Sequence, residues 1–227
     1  MGASSSRYEN DRHQSDQVSS KREKEVNLPH NFESIMQDAD VQVDRAPIPV
    51  LFEQLHEGVF LNNKRKKYWV DKAKNNCFTV YARDLSITWS IDGRFWQWLS
   101  EKDMWDNLIE VAKLENVCWL EVHGKFDMSK LSPNVRYEVA FIVKMEESAY
   151  GWEVPVNLRL TLPNGRKQES KVNLMEKPKG HWIQISVGEF ETSTTFNGEM
   201  EYSLYEYEGG KWKRGLLIMG VTIQPKY

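Results

Sequence analysis

VPVNLRLTL, residues 154–162, sets Val154, Val156, Leu158, Leu160 and Leu162 on one side of an extended chain and Asn157, Arg159 and Thr161 on the other. Successive side chains of a strand point to opposite faces, so this segment is a strand with one dry face and one wet face, the habit of antiparallel sheets. The same texture recurs in VCWLEVHGKF (117–126), YEVAFIVKM (137–145), HWIQISVGEF (181–190), MEYSLYEY (200–207) and GLLIMGVTIQP (215–225). Turn chemistry separates these segments as SPN, PNG, KPKG, FNG and EGG. Upstream, KYWVDK and CFTVYARDL flank AKNN and read as a hairpin. About seven or eight short strands with no helices between them predict an all-β chain folded as a β-sandwich or jelly roll. EKDMWDNLIEVAKLENV (101–117) is ambiguous: Trp105, Leu108, Ile109 and Ala112 allow helical turns, and an extended crossover fits as well.

Ahead of the strands, PIPVLFEQLHEG (47–58) spaces Leu51, Leu55 and Val59 for one face of a short helix, with proline at its entry and Gly58 at its exit. Residues 1–46 are rich in Ser, Asp, Glu, Gln, Lys and Arg, and their few apolar residues keep no period. Ordering a residue costs ~1–2 kcal/mol, which such a stretch has too little apolar area to offset, so it is expected to be a disordered extension to one domain at 47–227. MGASSS matches the myristoylation pattern at Gly2, and a membrane contact is expected only if Gly2 is acylated.

The chain has 227 residues, with 30 basic and 33 acidic side chains and a formal net charge of −3. That balance lacks the strongly positive field that nucleic-acid binding draws on; KRKK at 64–67 is a local exception that reads as a solvated loop. Cys77 and Cys118 lie at no metal-ligand spacing and build no disulfide framework. No signal peptide and no membrane-spanning run is apparent, which fits a reducing cytoplasmic compartment. Histidines at 13, 30, 56, 123 and 181 are scattered, and no catalytic, metal or cofactor motif occurs, so the chain reads as a binder without a cofactor.

ARDLSITWSIDGRFWQW, residues 82–98, gathers Trp89, Trp96 and Trp98 beside an Asp-Gly turn. Strand parity puts Trp89 on the face of Leu85 and Ile87, and pairs Trp96 with Trp98. Indoles at a strand end suit the apolar face of a pyranose ring, whose hydroxyl rim then needs carboxylates or amides nearby. NGEMEYSLYE supplies Glu199, Glu201 and Glu206.

A-R-D-L-S-I-T-W followed by R-F-W-Q-W resembles the signature of the phloem protein 2 and Nictaba-type plant lectin family, and KYWVD, VCWLEVHGKF, YGWEVPVNLRL, HWIQISVGEF and GGKWKRGLLIMGVTIQPK agree with it across about residues 48–227. The resemblance implies a jelly-roll lectin domain that binds N-acetylglucosamine oligosaccharides, chitin fragments and the cores of N-glycans on glycoproteins. It implies a homodimer in the cytoplasm of phloem companion cells and sieve elements. It also implies a sugar site at Trp89 and Trp96, with Glu199 and Glu206 beside them; Trp98 is a third wall or a core residue. Glu199 and Glu206 stand seven apart, so in a regular strand they face opposite sides, and Gly93 stands where the family commonly has proline. Two other readings stay open: a scaffold for RNA or for other phloem proteins, and a filament cross-linker joined by an intermolecular disulfide through Cys77 or Cys118. Cys118, inside an apolar strand, is expected to be the more buried thiol.

Overall fold

Thirteen strands and two short helices make up the regular structure that the computed structural model shows over residues 1–2, 28–194 and 197–227. The helices are α1 (Phe32–Met36) and α2 (Ile48–Glu57). The strands are β1 (Val59–Leu61), β2 (Lys66–Val70), β3 (Asn76–Tyr81), β4 (Ser86–Ile87), β5 (Trp96–Lys102), β6 (Leu108–Leu114), β7 (Leu120–Asp127), β8 (Arg136–Tyr150), β9 (Val156–Thr161), β10 (Lys167–Val172), β11 (Trp182–Glu191), β12 (Glu199–Glu206) and β13 (Arg214–Pro225).

They form two antiparallel sheets. The larger runs β1-β2-β3-β13-β6-β5, with β8 paired to β13 and β11 to β8; the smaller runs β10-β9-β12-β7-β4. Register shifts in β13 between Arg214 and Leu216 and between Ile218 and Gly220, and in β11 between Ser186 and Gly188, bend the larger sheet. The two sheets face each other as a jelly-roll sandwich. Phe78 of β3 packs on Phe126 of β7 at 4.8 Å between ring centroids, and Phe141 of β8 meets Tyr202 of β12 edge-on at 6.2 Å. VPVNLRLTL behaves as its alternation requires: Val156, Leu158 and Leu160 enter the core, and Asn157, Arg159 and Thr161 line the outer face of the smaller sheet. β3 is buried along its whole length, and at its Tyr81 end a second apolar cluster, with Val111, Leu217 and Met219, adds to the main core.

One open reading is resolved and two expectations are corrected. The ambiguous 101–117 stretch is a hairpin of β5 and β6, closed by Asp103, whose Oδ1 accepts from the backbone N–H of Trp105 and of Asn107, both at 2.9 Å. Order reaches back past residue 46: Phe32 and Ile35 of α1 are buried in the core, Asp40 caps the β1–β2 turn by accepting from Asn63 N and Lys64 N, and Lys130 pairs with Asp38 at 3.0 Å. A five-residue helix with two inward side chains is too short to show a period. The expected disorder and the acylation pattern otherwise fall largely on residues 3–27, outside the described residues. Cys77, in β3, is the buried thiol, whereas Cys118 lies partly exposed in the turn before β7. Burial pushes the Cys77 thiol far up, so it is neither accessible nor ionised for an intermolecular disulfide, and only Cys118 retains that option.

Candidate functional site

Residues 82–98 do not form one strand. Ala82–Asp84 make a 3₁₀ turn, Ser86 and Ile87 pair briefly with β7, and the chain then turns on itself with Ser90 N donating to Ile87 O and Asp92 N to Trp89 O. The parity that put Trp89 on the Leu85–Ile87 face therefore breaks. Trp89 sits at φ +62° with 47% of its surface exposed. A left-handed backbone costs a bulky residue roughly 1–3 kcal/mol and persists only where its surroundings hold it.

Two other tryptophans do the holding. Trp96 Nε1 donates to Thr88 O at 3.1 Å, and Trp98 Nε1 donates to Ser90 O at 3.0 Å, so the carbonyls on either side of Trp89 are both gripped by indole N–H groups. Trp96 is only 2% exposed. Its ring cannot offer a face to a sugar, which corrects its expected stacking role to that of a support. Trp98 is half-buried beneath the Arg83 guanidinium, 3.7 Å from its ring centre, and Arg83 is fixed in turn by a two-pronged contact to Glu110 at 2.9 and 2.6 Å. Trp89 leans on Phe95 at 5.1 Å. Asp92 beside it is held at a pKa of about 2 by hydrogen bonds from Arg94, which engages both of its oxygens and braces the turn. Arg83, Ser90, Gly93, Gln97 and the edges of Trp96 and Trp98 enclose a shallow hollow of about 580 Å³.

The two acids part company. Glu199 and Glu206 are the first and last residues of β12, opposite Asp127 and Leu120 of β7, so about 23 Å of strand separates them and they fall on opposite faces. Glu199 is exposed and paired with Lys125 at 2.9 Å, at the end of the strand away from Trp89. Glu206 lies near the Trp89 end with its side chain 2% exposed, sealed against the fully buried Lys213, and its Oε1 accepts from Gly209 N at 2.7 Å. Neither carboxylate stands beside Trp89, which corrects their expected role there. Among the described residues, no group of His, Cys, Asp and Glu has the geometry of a metal site.

Sequence reasoning missed a second set of aromatics. Trp119 is 43% exposed and stacks on Tyr207 at 4.3 Å with 14° between the planes; Tyr207 lies at 5.5 Å and 24° from Tyr205. Glu121 ties this set to the Trp89 loop. Its Oε2 accepts from Trp119 Nε1 at 2.9 Å and from Thr88 Oγ1 at 3.2 Å, while Oε1 meets His123 Nε2 at 2.9 Å. The indole hydrogen bond is the main reason the Glu121 carboxyl is held below its ordinary range. The signal was present in VCWLEVHGKF, where Trp119, Glu121 and His123 alternate with Leu120 and Val122 just as the wet residues of VPVNLRLTL do.

Fold and site define a class: a jelly-roll sandwich that carries a set of exposed aromatics, Trp89, Trp119 and Tyr207, on loops at one end of the smaller sheet. The chain belongs to the phloem protein 2 family, whose sequence profile matches residues 75–225. A phloem protein 2-like protein, A1, of Arabidopsis thaliana is 48% identical over 204 residues, covering 88% of this chain and 82% of its own. A lectin of Luffa acutangula is 47% identical over 205 residues, covering 89% and 97%. A lectin of Coccinia grandis is 33% identical over 156 residues, covering 68% and 95%. Among solved structures, a family 16 carbohydrate-binding module matches 57% of this chain and 84% of its own at TM-score 0.35 and 12% identity, a likeness of outline only. No helix among the described residues is long and apolar enough to cross a membrane.

Proposed function

We propose that the protein is a non-enzymatic lectin that binds oligosaccharides of N-acetylglucosamine at the Trp89 loop, in the cytoplasm of phloem cells. The observation that carries this reading is Trp89 itself: a half-exposed indole kept in a left-handed backbone, with one flanking carbonyl clamped by the buried Trp96 and the other by the half-buried Trp98. A fold maintains a strained, apolar, outward ring where the ring has work to do. The C–H face of a pyranose stacks on such a ring, and Ser90 and Gln97, which line the hollow in the same loop, supply acceptors and donors. Two relatives named as lectins support the same reading. A single shallow site binds weakly, and a homodimer would raise avidity through effective concentration.

Calorimetric titration of chitotriose into the full chain and into Trp89→Ala tests it. The wild type is expected to give saturable heat. The variant is expected to lose about tenfold or more in affinity, the equivalent of ~1.4 kcal/mol, with its melting temperature unchanged or raised. Equal heat from both proteins would remove Trp89 from the site, and no heat from the wild type would end the lectin reading.

A further inference from the structure

We infer that the open face of the smaller sheet, headed by Trp119, Tyr207 and Tyr205, is a second sugar platform joined to Trp89 through Glu121, so that the ligand is an extended neutral oligosaccharide. This inference rests on the lectin reading and gives it a length and a direction.

Geometry is the first ground. Tyr205, Tyr207 and Trp119 form a near-parallel ladder whose rings fix one another, so little side-chain entropy is left for a ligand to freeze. Tyr207 covers one side of Trp119, and the 43% exposure of the indole comes from the rest of the ring. The Trp119 N–H, which would otherwise compete for solvent, is already committed to Glu121. Because the same oxygen of Glu121 also takes the hydroxyl of Thr88, the residue before Trp89, one carboxylate ties Trp119 to the loop that carries Trp89.

The surface beyond is the second ground. Register across the smaller sheet places Ser86, His123, Ser203, Arg159 and Glu169 in one row, on β4, β7, β12, β9 and β10. Serines at two of these positions lower the floor between taller neighbours. At the Ser86–His123 end of the row a hollow of about 460 Å³ opens, bounded by Asp84, Ser86, His123, Lys125 and Glu201. At the next row Tyr205 lies opposite both Glu121 and Asn157. From β4 to β9 is three inter-strand spacings, about 14 Å, more than one sugar ring spans.

Charge is the third ground and selects the ligand class. Lys125 is paired with Glu199 at 2.9 Å, Arg159 with Glu169 at 2.7 Å, and His123 meets Glu121. Arg159 also donates to the Tyr205 hydroxyl at 2.7 Å. A polyanion needs cations free to meet its phosphates; those beside the aromatic ladder are spent on neighbours, and the two lysines of this face that hold no ion pair among the described residues, Lys167 and Lys171, stand apart on the edge strand β10. What the face offers is stacking area and an even mixture of donors and acceptors, which suits hydroxyl and acetamido groups.

The test is a length series, from N-acetylglucosamine through chitobiose and chitotriose to chitotetraose, titrated into the wild type, Trp119→Ala, Trp119→Phe, Tyr207→Ala and Trp89→Ala. Wild-type affinity is expected to climb with each added unit. Trp119→Ala and Tyr207→Ala should bind chitotetraose at least tenfold more weakly while changing chitobiose binding less than twofold, and Trp119→Phe should restore most of the loss. Heat abolished by Trp89→Ala but unmoved by Trp119→Ala at every length would overturn this inference and leave the Trp89 site standing. No heat with any sugar in the wild type would end both. Should Trp119→Ala fail to fold, the wild type alone decides, since equal affinity for chitobiose and chitotetraose would overturn the extended site.

Discussion

Lys213→Met would remove the cation from a pair that is out of water on both sides, the Lys213 and Glu206 side chains being 0% and 2% exposed. The ammonium is fully satisfied: it pairs with Glu206 and donates to Cys118 O at 2.8 Å and Lys211 O at 3.0 Å. With it gone, the Glu206 carboxylate keeps only Gly209 N, and the carbonyls of Cys118 and Lys211 lose a donor. Breaking a buried pair from one side costs about 3–5 kcal/mol, because an uncompensated charge stays inside. In a chain of this size each kcal/mol moves the midpoint by about 2–4 °C, so the melting temperature should fall by about 6–20 °C. Urea denaturation of Lys213→Met, Glu206→Gln and the double variant measures it. The double variant should cost much less than the sum of the singles, since both charges leave together. A single-variant loss below about 1 kcal/mol, the range of exposed pairs, would refute the view that Glu206 and Lys213 form a buried strut.

Tyr202 is buried with a hydroxyl that has no hydrogen-bond partner among the described residues, so Tyr202→Phe should leave stability unchanged or raise it by up to about 1–2 kcal/mol; a clear loss by urea denaturation would reveal a hidden partner. Cys118 should react with a thiol reagent in the native protein at neutral pH while Cys77 reacts only on unfolding, a difference that mass spectrometry of peptides resolves. Glu121 is held below its ordinary range, so what it contributes is present above the usual glutamate value of about 4.3 and is lost as the pH falls through its lower folded value. Chitotetraose affinity should hold down through about pH 4.3 and fall only below it, and Glu121→Gln should flatten that fall.

Most of the sandwich was legible because its strands each bury one face, and a period of two is short enough to read in six residues. The hairpin at 96–114 escaped because Trp105 sits in its turn, where its ring faces Trp69 at 4.9 Å and imitates a helical repeat with Leu108 and Ala112. At the candidate site the sequence brings the tryptophans together but does not show which of them are exposed and which support the loop. Three tryptophans do cluster, but parity assumes an unbroken strand, and a 3₁₀ turn at Ala82–Asp84 with a positive φ at Trp89 resets it. Glu206 reads as a surface acid until Lys213, seven residues on and across a turn, is seen beneath it. Trp119 was hidden for the opposite reason: its strand was read correctly, and only the fold shows that its wet face points the same way as Tyr205 and Tyr207.

The division of labour among the tryptophans is most directly tested by following indole N–H resonances in a ¹⁵N-labelled protein as chitotriose is added, each assigned by substitution. The Trp89 and Trp119 signals should shift in step with saturation, and the Trp152 signal, from a buried ring that donates to Arg214 O at 2.8 Å, should stay still. Trp96 should move less than Trp89, as a support does. A titration in which Trp96 shifts strongly while Trp89 and Trp119 do not would contradict the account.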